Sequence, residues 1–259
     1  MFEWFSNLKY DYGFLKQWIG RSRFQDGNEY ISFEVLPYVL CMIAIGVIGY
    51  YLGSINFGII LSKVKYKDDV RTHGSGNAGA TNMLRTYGKG AAALTYLGDF
   101  LKAAISVLLG IIIGGEAFGY IAGFMCMLGH AFPIFYGFKG GKGVACASAV
   151  ILFLEPVVFL ICMFIFVVTV ATTKYVSLGS VLALAMFPVI ASSMYKILHF
   201  PGVSGEVFPP FMATVMSIAM AVLVVYLHRK NMKRVMNKTE NKISFKKKTA
   251  PDSVEGTEK

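Results

Sequence analysis

Val144–Ala171 reads VACASAVILFLEPVVFLICMFIFVVTVA, and the number of membrane crossings turns on it. It is either one long kinked helix or two short ones divided at Glu155-Pro156. A proline inside a helix removes a backbone hydrogen bond and clashes with the preceding turn. A helix needs about 20 residues to cross roughly 30 Å of hydrocarbon. Outward from this stretch the apolar runs are Val35–Leu61, Ala91–Ile113, Ala117–Tyr136, Leu178–Leu198 and Val207–Leu227. Gly114-Gly115-Glu116 and His199–Glu206 supply ordinary breaks between them. Alternation of period two is missing, which argues against a membrane β-barrel.

Of the 259 residues, 55% are hydrophobic and 15% charged, and the mean hydropathy is +0.57. Soluble domains carry about 25% charged residues. The composition therefore excludes a soluble enzyme, a disordered chain and a nucleic-acid-binding domain. Charge then chooses the span count. If the basic loop Ser62–Gly90 is cytoplasmic, seven spans put Gly137–Gly143, Thr172–Ser177 and the basic tail on that side too, gathering most of the 25 Lys and Arg. Six spans would leave the tail outside, so the positive-inside bias favours seven. The expectation is an all-α integral membrane protein with seven transmembrane helices, some short, N-terminus outside and C-terminus cytoplasmic. Residues 1–34 are expected to be an interfacial or disordered extension, in which Trp4, Phe5, Phe14 and Trp18 could mark an interfacial helix. They lack the apolar core of a signal peptide. Residues 35–240 form the body and 241–259 a polar basic, disordered tail. Cys41, Cys126, Cys146 and Cys162 lie in apolar runs without metal-ligand spacing and read as reduced packing residues.

Four polar clusters interrupt the apolar chain. Gly74-Ser75-Gly76-Asn77-Ala78-Gly79-Ala80-Thr81-Asn82, followed by Arg85, combines glycine amides, side-chain donors and a guanidinium, a set suited to phosphate. A flexible Gly-Ser loop is the plainer reading. Gly129-His130 followed by Gly137-Phe138-Lys139-Gly140-Gly141-Lys142-Gly143 sets two lysines in a glycine frame. It departs from a Walker A loop, so an NTPase is disfavoured while a phosphate cradle survives beside simple interfacial anchoring. Lys174–Leu178, with Ser177, reads by itself as a solvated turn. His228–Arg234 reads as a stop-transfer flank, although His228 and Asn231 share a helix face. Asp99 and Lys102, three apart within a span, are expected to pair, since charges at that depth support a site or a structure. In the seven-span arrangement all four clusters reach one face, as a phosphate-binding site with an apolar chamber behind it.

These residues resemble the bacterial acyl-phosphate:glycerol-3-phosphate acyltransferases, the PlsY family. Gly74–Arg85, with Gly53-Ser54 and Asp99-Lys102, resembles the family's first motif region. Gly129–Gly143 resembles the second, Lys174–Leu178 the third, and His228–Arg234 with Glu240 the C-terminal signature. The likeness covers roughly Leu36 to Glu240. Asn56 stands where the family usually has proline, and Lys238 where it usually has glycine. The resemblance implies a bacterial plasma-membrane enzyme, its site facing the cytoplasm. It would move an acyl group from acyl phosphate to the sn-1 hydroxyl of glycerol 3-phosphate, the first step of phospholipid synthesis. It implies no metal, no cofactor, no acyl-CoA, and a functional link to the enzyme producing acyl phosphate. The His-x4-Asp motif of the other acyltransferase superfamily is missing from the sequence.

The expected roles follow. Ser75, Asn77 and the amides around Gly74, Gly76 and Gly79 hold one phosphate, with Thr81, Asn82, Lys139, Gly140 and Gly141 beside them. Arg85 and Lys142 neutralise charge. By resemblance, His228 and Asn231 position glycerol 3-phosphate near Ser177. Asp99, Lys102 and His130 support the site. His130, His228 or a donor-phosphate oxygen takes the proton. The rival expectations are a transporter or flippase for a phosphorylated metabolite, and a scaffold for lipid synthesis.

Overall fold

The computed structural model describes residues 20–25, 28–33, 35–198 and 211–243. Two short strands, β1 (Gly20–Gln25) and β2 (Asn28–Phe33), pair antiparallel. They stand where the sequence suggested an interfacial helix or disordered chain. The aromatic residues of that suggestion, Trp4 to Trp18, lie outside the described residues, as do 199–210 and 244–259.

The body is helical: α1 Val35–Ser54, α2 Phe57–Tyr66, α3 Ala80–Tyr87, α4 Lys89–Gly114, α5 Glu116–Ala131, α6 Val144–Leu154, α7 Pro156–Thr173, α8 Val176–Leu198 and α9 Phe211–Met236. Among the described residues six segments are long and apolar enough to cross a membrane, α1 and α2 counting as one. The seventh expected span is α6, whose 11 residues rise only about 16 Å. The ambiguous stretch is thus two helices. Pro156 opens α7, where its missing N–H costs nothing, and the chain reverses at Glu155. The start of α6 and the C-terminal half of α7 reach the same cavity, at Val144 and Phe166.

The first expected run also breaks in two. Asn56 caps α2, its side chain accepting from Ile59 N at 3.2 Å. The open carbonyls ending α1 are taken up by Lys102, whose Nζ donates to Gly53 O at 2.9 Å and Ile55 O at 2.7 Å. A membrane-buried helix end needs such a donor because no water is available there.

α1 packs along α5, α5 along α4, and α8 between α7 and α9. At Gly49, Gly53 and Gly129 a Cβ would strike backbone of the opposing helix, so α1 and α5 meet backbone to backbone. One large core runs through α4 to α9, with Val107, Met127, Val150, Phe187 and Met220 fully buried. Leu160 and Phe164 of α7, and Leu36 and Ile43 of α1, are more than half exposed and form the lipid-facing surface. All four cysteines are free.

Candidate active site

Four loop regions meet at one end of the bundle. Arg71, held by Asp69 at 2.7 Å, donates from Nη1 to Tyr136 O at 2.9 Å and Lys139 O at 3.2 Å. Arg85 donates to Asn241 O at 3.3 Å, and Ile243 N to Lys174 O at 2.9 Å. Asn241 and Ile243, assigned by sequence to a loose tail, therefore close the body. The loops containing 74–85 and 137–143 lie side by side.

In the first loop Gly74 and Gly76 sit at φ +56° and +70°, a region glycine enters without strain. Asn82, 2% exposed, pins this shape. Its Oδ1 accepts from Ser75 N at 3.0 Å, and its Nδ2 donates to Val70 O at 2.9 Å and His73 O at 3.0 Å. Both amide ends are thus engaged in the loop. Gly79 caps α3 without a side-chain hydrogen bond, so the opening amides of that helix edge the cavity beside Ser75, Asn77 and Thr81.

The second loop departs from the expected cradle. Gly140 N donates to Ala131 O at 3.2 Å and Gly141 N to His130 O at 3.0 Å. These amides are spent against the end of α5. A Cβ at Gly140 would strike the His130 carbonyl, and one at Gly141 its imidazole. The two glycines serve close packing, and neither lines the cavity. Lys139 is exposed and also stands outside it, as do Gly74 and Gly76. Of the residues 137–143, Lys142 and Gly143 reach the cavity.

α9 continues past its apolar run. Ser217, Met220, Ala221, Val224, His228 and Asn231 fall on one buried face. Asn231 Oδ1 accepts a short hydrogen bond from Lys142 Nζ, and Asn231 Nδ2 donates to Glu240 Oε1 at 2.7 Å. Glu240 also accepts from Ser177 Oγ at 3.1 Å and Arg234 Nε at 2.7 Å. Burial tends to raise the Glu240 carboxyl, but the bonds from Arg234, Asn231 and Ser177 prevail and hold it below the ordinary range. For Lys142, burial is the main cause and Arg234 and Arg85 add to it against Glu240, bringing the ammonium down to about 8. Burial likewise lowers Arg85, which remains charged at any working pH. His228, 3% exposed, donates from Nδ1 to Val224 O at 2.9 Å, so the neutral ring carries its lone pair at Nε2.

Behind the cavity lies a buried triad. Lys102 Nζ is 2.8 Å from Asp99 Oδ1 and 3.0 Å from His130 Nδ1, and His130 Nδ1 is 3.3 Å from the same carboxylate. Asp99 further accepts from Phe57 N at 3.4 Å. The expected pairing of Asp99 with Lys102 is present. Asp99 and His130 touch the cavity wall, whereas Lys102 faces the α1–α2 break.

The cavity measures about 330 Å³. It brings together Ser75, Asn77, Gly79, Thr81, Asn82, Arg85, Lys142, Ser177, His228 and Asn231 from four regions of the chain. Sequence reasoning passed over Tyr96, Phe166 and Ser180 as wall residues and gave Glu240 no role of its own. Tyr96 lies three residues before Asp99 and Ser180 three after Ser177, so helical periodicity was the available signal. An apolar groove shares Tyr96, Val144, Phe166 and Ser180 with the cavity.

A membrane bundle whose polar end holds cations and donors opens into an apolar groove, the arrangement of a membrane-embedded enzyme. Residues 43–238 match the family model described as Glycerol-3-phosphate acyltransferase. A glycerol-3-phosphate acyltransferase of Syntrophomonas wolfei is 40% identical over 203 residues, which cover 78% of this chain and 97% of the relative. One from Clostridioides difficile is 39% identical over 220 residues, covering 83% and 99%. The crystal structure of PlsY (YgiH), an integral membrane glycerol 3-phosphate acyltransferase, in its glycerol 3-phosphate form, matches with a TM-score of 0.68 and 32% identity, covering 79% of this chain and 96% of that one. Its lysophosphatidic acid form gives 0.67 and 31%, with the same coverage. The chain belongs to the glycerol-3-phosphate acyltransferase family, a multi-pass bacterial membrane enzyme. This overturns the transporter expectation.

Proposed function

We propose that the chain transfers a fatty acyl group from acyl phosphate to the sn-1 hydroxyl of glycerol 3-phosphate, at the cytoplasmic face of the plasma membrane. The observation that carries the reading is the junction of one donor-rich, cationic cavity with an apolar groove. Two phosphates suit the first and an alkyl chain the second. Arg85 and Lys142 offset the phosphate charge, and Ser75, Asn77 and the first amides of α3 supply hydrogen bonds. His228 and Asn231 hold glycerol 3-phosphate, with Asn231 aimed by Glu240. Asp99, Lys102 and His130 brace the wall between the two loops.

The hydroxyl oxygen attacks the acyl carbonyl carbon. The tetrahedral intermediate collapses, the bond from carbon to the phosphate oxygen breaks, and lysophosphatidate and phosphate leave. Acyl phosphate is a mixed anhydride, so no acyl-enzyme is needed. Orientation of two bound reactants supplies on the order of 7–11 kcal/mol, and the cations stabilise the developing oxyanion. Two acceptors stand open for the hydroxyl proton, His228 Nε2 and an oxygen of the donor phosphate. His130 is the weaker choice, because Asp99 and Lys102 occupy its Nδ1 and Gly141 backs onto its Nε2. An enzyme that makes acyl phosphate must act upstream.

The test uses purified protein in nanodiscs with palmitoyl phosphate and glycerol 3-phosphate, and palmitoyl-CoA as the comparison donor. Equal amounts of lysophosphatidate and phosphate from the acyl phosphate alone are expected. Equal turnover from the CoA ester refutes the donor assignment. Protease access to the loop at residues 67–79 in sealed inside-out vesicles tests the facing.

A further inference from the structure

Beyond the last residues lining the groove the side chains are tightly packed, and where that packing begins follows from the short α6. Beyond the neck shared with the cavity, three helices each contribute one stripe. Ser148 and Ile151 come from α6, Phe159, Cys162 and Met163 from α7, and Ala183 and Leu184 from α8. The three-, four- and seven-residue spacings keep each stripe on a single face. From Phe166 at the neck to Phe159, seven residues of helix cover about 10 Å. The one polar pair along it is spent on itself: Tyr96 Oη meets Ser148 Oγ at 2.9 Å, and Ser148 donates on to Ala145 O at 2.8 Å.

Next to the last lining residues the space is full. Leu154 is 0%, Val158 1% and Phe187 0% exposed, and all three belong to the main core. They pack there because α6 stops at Leu154 and the chain reverses into α7 through Glu155. The apex of this helical hairpin fills the angle between its two arms. A full-length α6 would carry the groove on across the membrane, whereas the half-length helix stops it partway.

We propose that the α6–α7 hairpin measures the acyl chain. Phe159, Cys162 and Met163 meet its terminal methylenes and set the preferred length. This rests on the acyl-transfer reading above and adds to it a chain-length determinant. Each methylene that finds room contributes about fourfold to kcat/KM, from roughly 0.8 kcal/mol of burial. A methylene beyond the floor forfeits that gain and strains the chain against packed side chains.

The test assays the full chain in nanodiscs with saturated donors from decanoyl to stearoyl phosphate. Two substitutions push in opposite directions. Cys162→Phe fills the groove and is expected to lower the palmitoyl-to-decanoyl ratio of kcat/KM by about tenfold or more. Met163→Ala opens it and is expected to raise the stearoyl-to-palmitoyl ratio by at least about fourfold. Mere loss of folded enzyme scales every donor alike and leaves both ratios where they were. Unchanged ratios in both variants, or a wild-type profile flat in chain length, overturn the proposal while leaving acyl transfer standing. No product from any acyl phosphate with the wild type removes the functional reading and this inference with it.

Discussion

Asn231 donates its side-chain amide to Glu240 Oε1 at 2.7 Å, nine residues further along the chain. That bond fixes which way the amide faces, and its oxygen is thereby presented to Lys142. Replacing Asn231 by Leu removes a donor and an acceptor together, leaving Lys142 to drift from the cavity wall. Because displacement by about 1 Å can cost on the order of 10²-fold, lysophosphatidate formation is expected to fall about that far while the protein still folds. Initial rates beside a detergent unfolding scan check this.

Glu240 ties Ser177, Asn231 and Arg234 into one cluster. Glu240→Ala leaves two buried polar side chains without their acceptor and is expected to cost about 2–3 kcal/mol, together with most activity. Its carboxyl lies below the ordinary range in the folded protein. The cluster therefore stabilises the fold fully above the unfolded carboxyl value and loses its contribution as pH falls through the lower, folded one. Thermal unfolding of wild type and Glu240→Gln across acid pH measures the difference, which should close at the acid end.

Lys142 titrates at about 8. Its charged form is the one that grips phosphate, so kcat/KM is expected to fall by roughly tenfold per pH unit above that value. Lys142→Arg keeps its charge and should flatten the alkaline limb even if its plateau is lower. An unchanged limb in that variant removes Lys142 as the titrating group.

Asp99 and Lys102 are 1% and 5% exposed and 2.8 Å apart. Lys102→Met abandons a buried carboxylate and two helix-end carbonyls, an effect of about 3–5 kcal/mol. Adding Asp99→Asn should recover part of it. A double-mutant cycle on unfolding midpoints gives the coupling, and strict additivity contradicts the pairing.

Gly141 and Gly90 make opposite predictions from one substitution. Alanine at 141 must displace the His130 imidazole, and is expected to lower both activity and stability. At Gly90 nothing stands within 4 Å of an added Cβ and the backbone is helical, so alanine should gain about 0.5–1 kcal/mol. Unfolding midpoints in a single detergent separate the two.

Apolar run length, set against the bilayer, determined from sequence alone that this is a helical membrane protein, and the polar clusters at the run ends marked where its chemistry collects. Ser75, Arg85 and Lys142, which line the cavity, drew notice because polar groups at the edge of an apolar chain need a reason to be there, whereas Ser177, His228 and Asn231 read locally as a solvated turn and a stop-transfer flank and were picked out by the family resemblance. Other assignments waited for the tertiary structure. Gly140 and Gly141 looked like phosphate amides, yet their N–H groups are committed to His130 and Ala131 carbonyls. Asn82 looked like a ligand donor and proved to be the pin of its own loop. Glu240 stood in the C-terminal signature without a role, since its tie to Ser177 spans 63 residues. Composition and periodicity are properties of neighbouring residues along the chain, so they report elements and their faces. Which donor is already satisfied, and how deep a groove runs before packed side chains close it, depends on groups brought together only by folding.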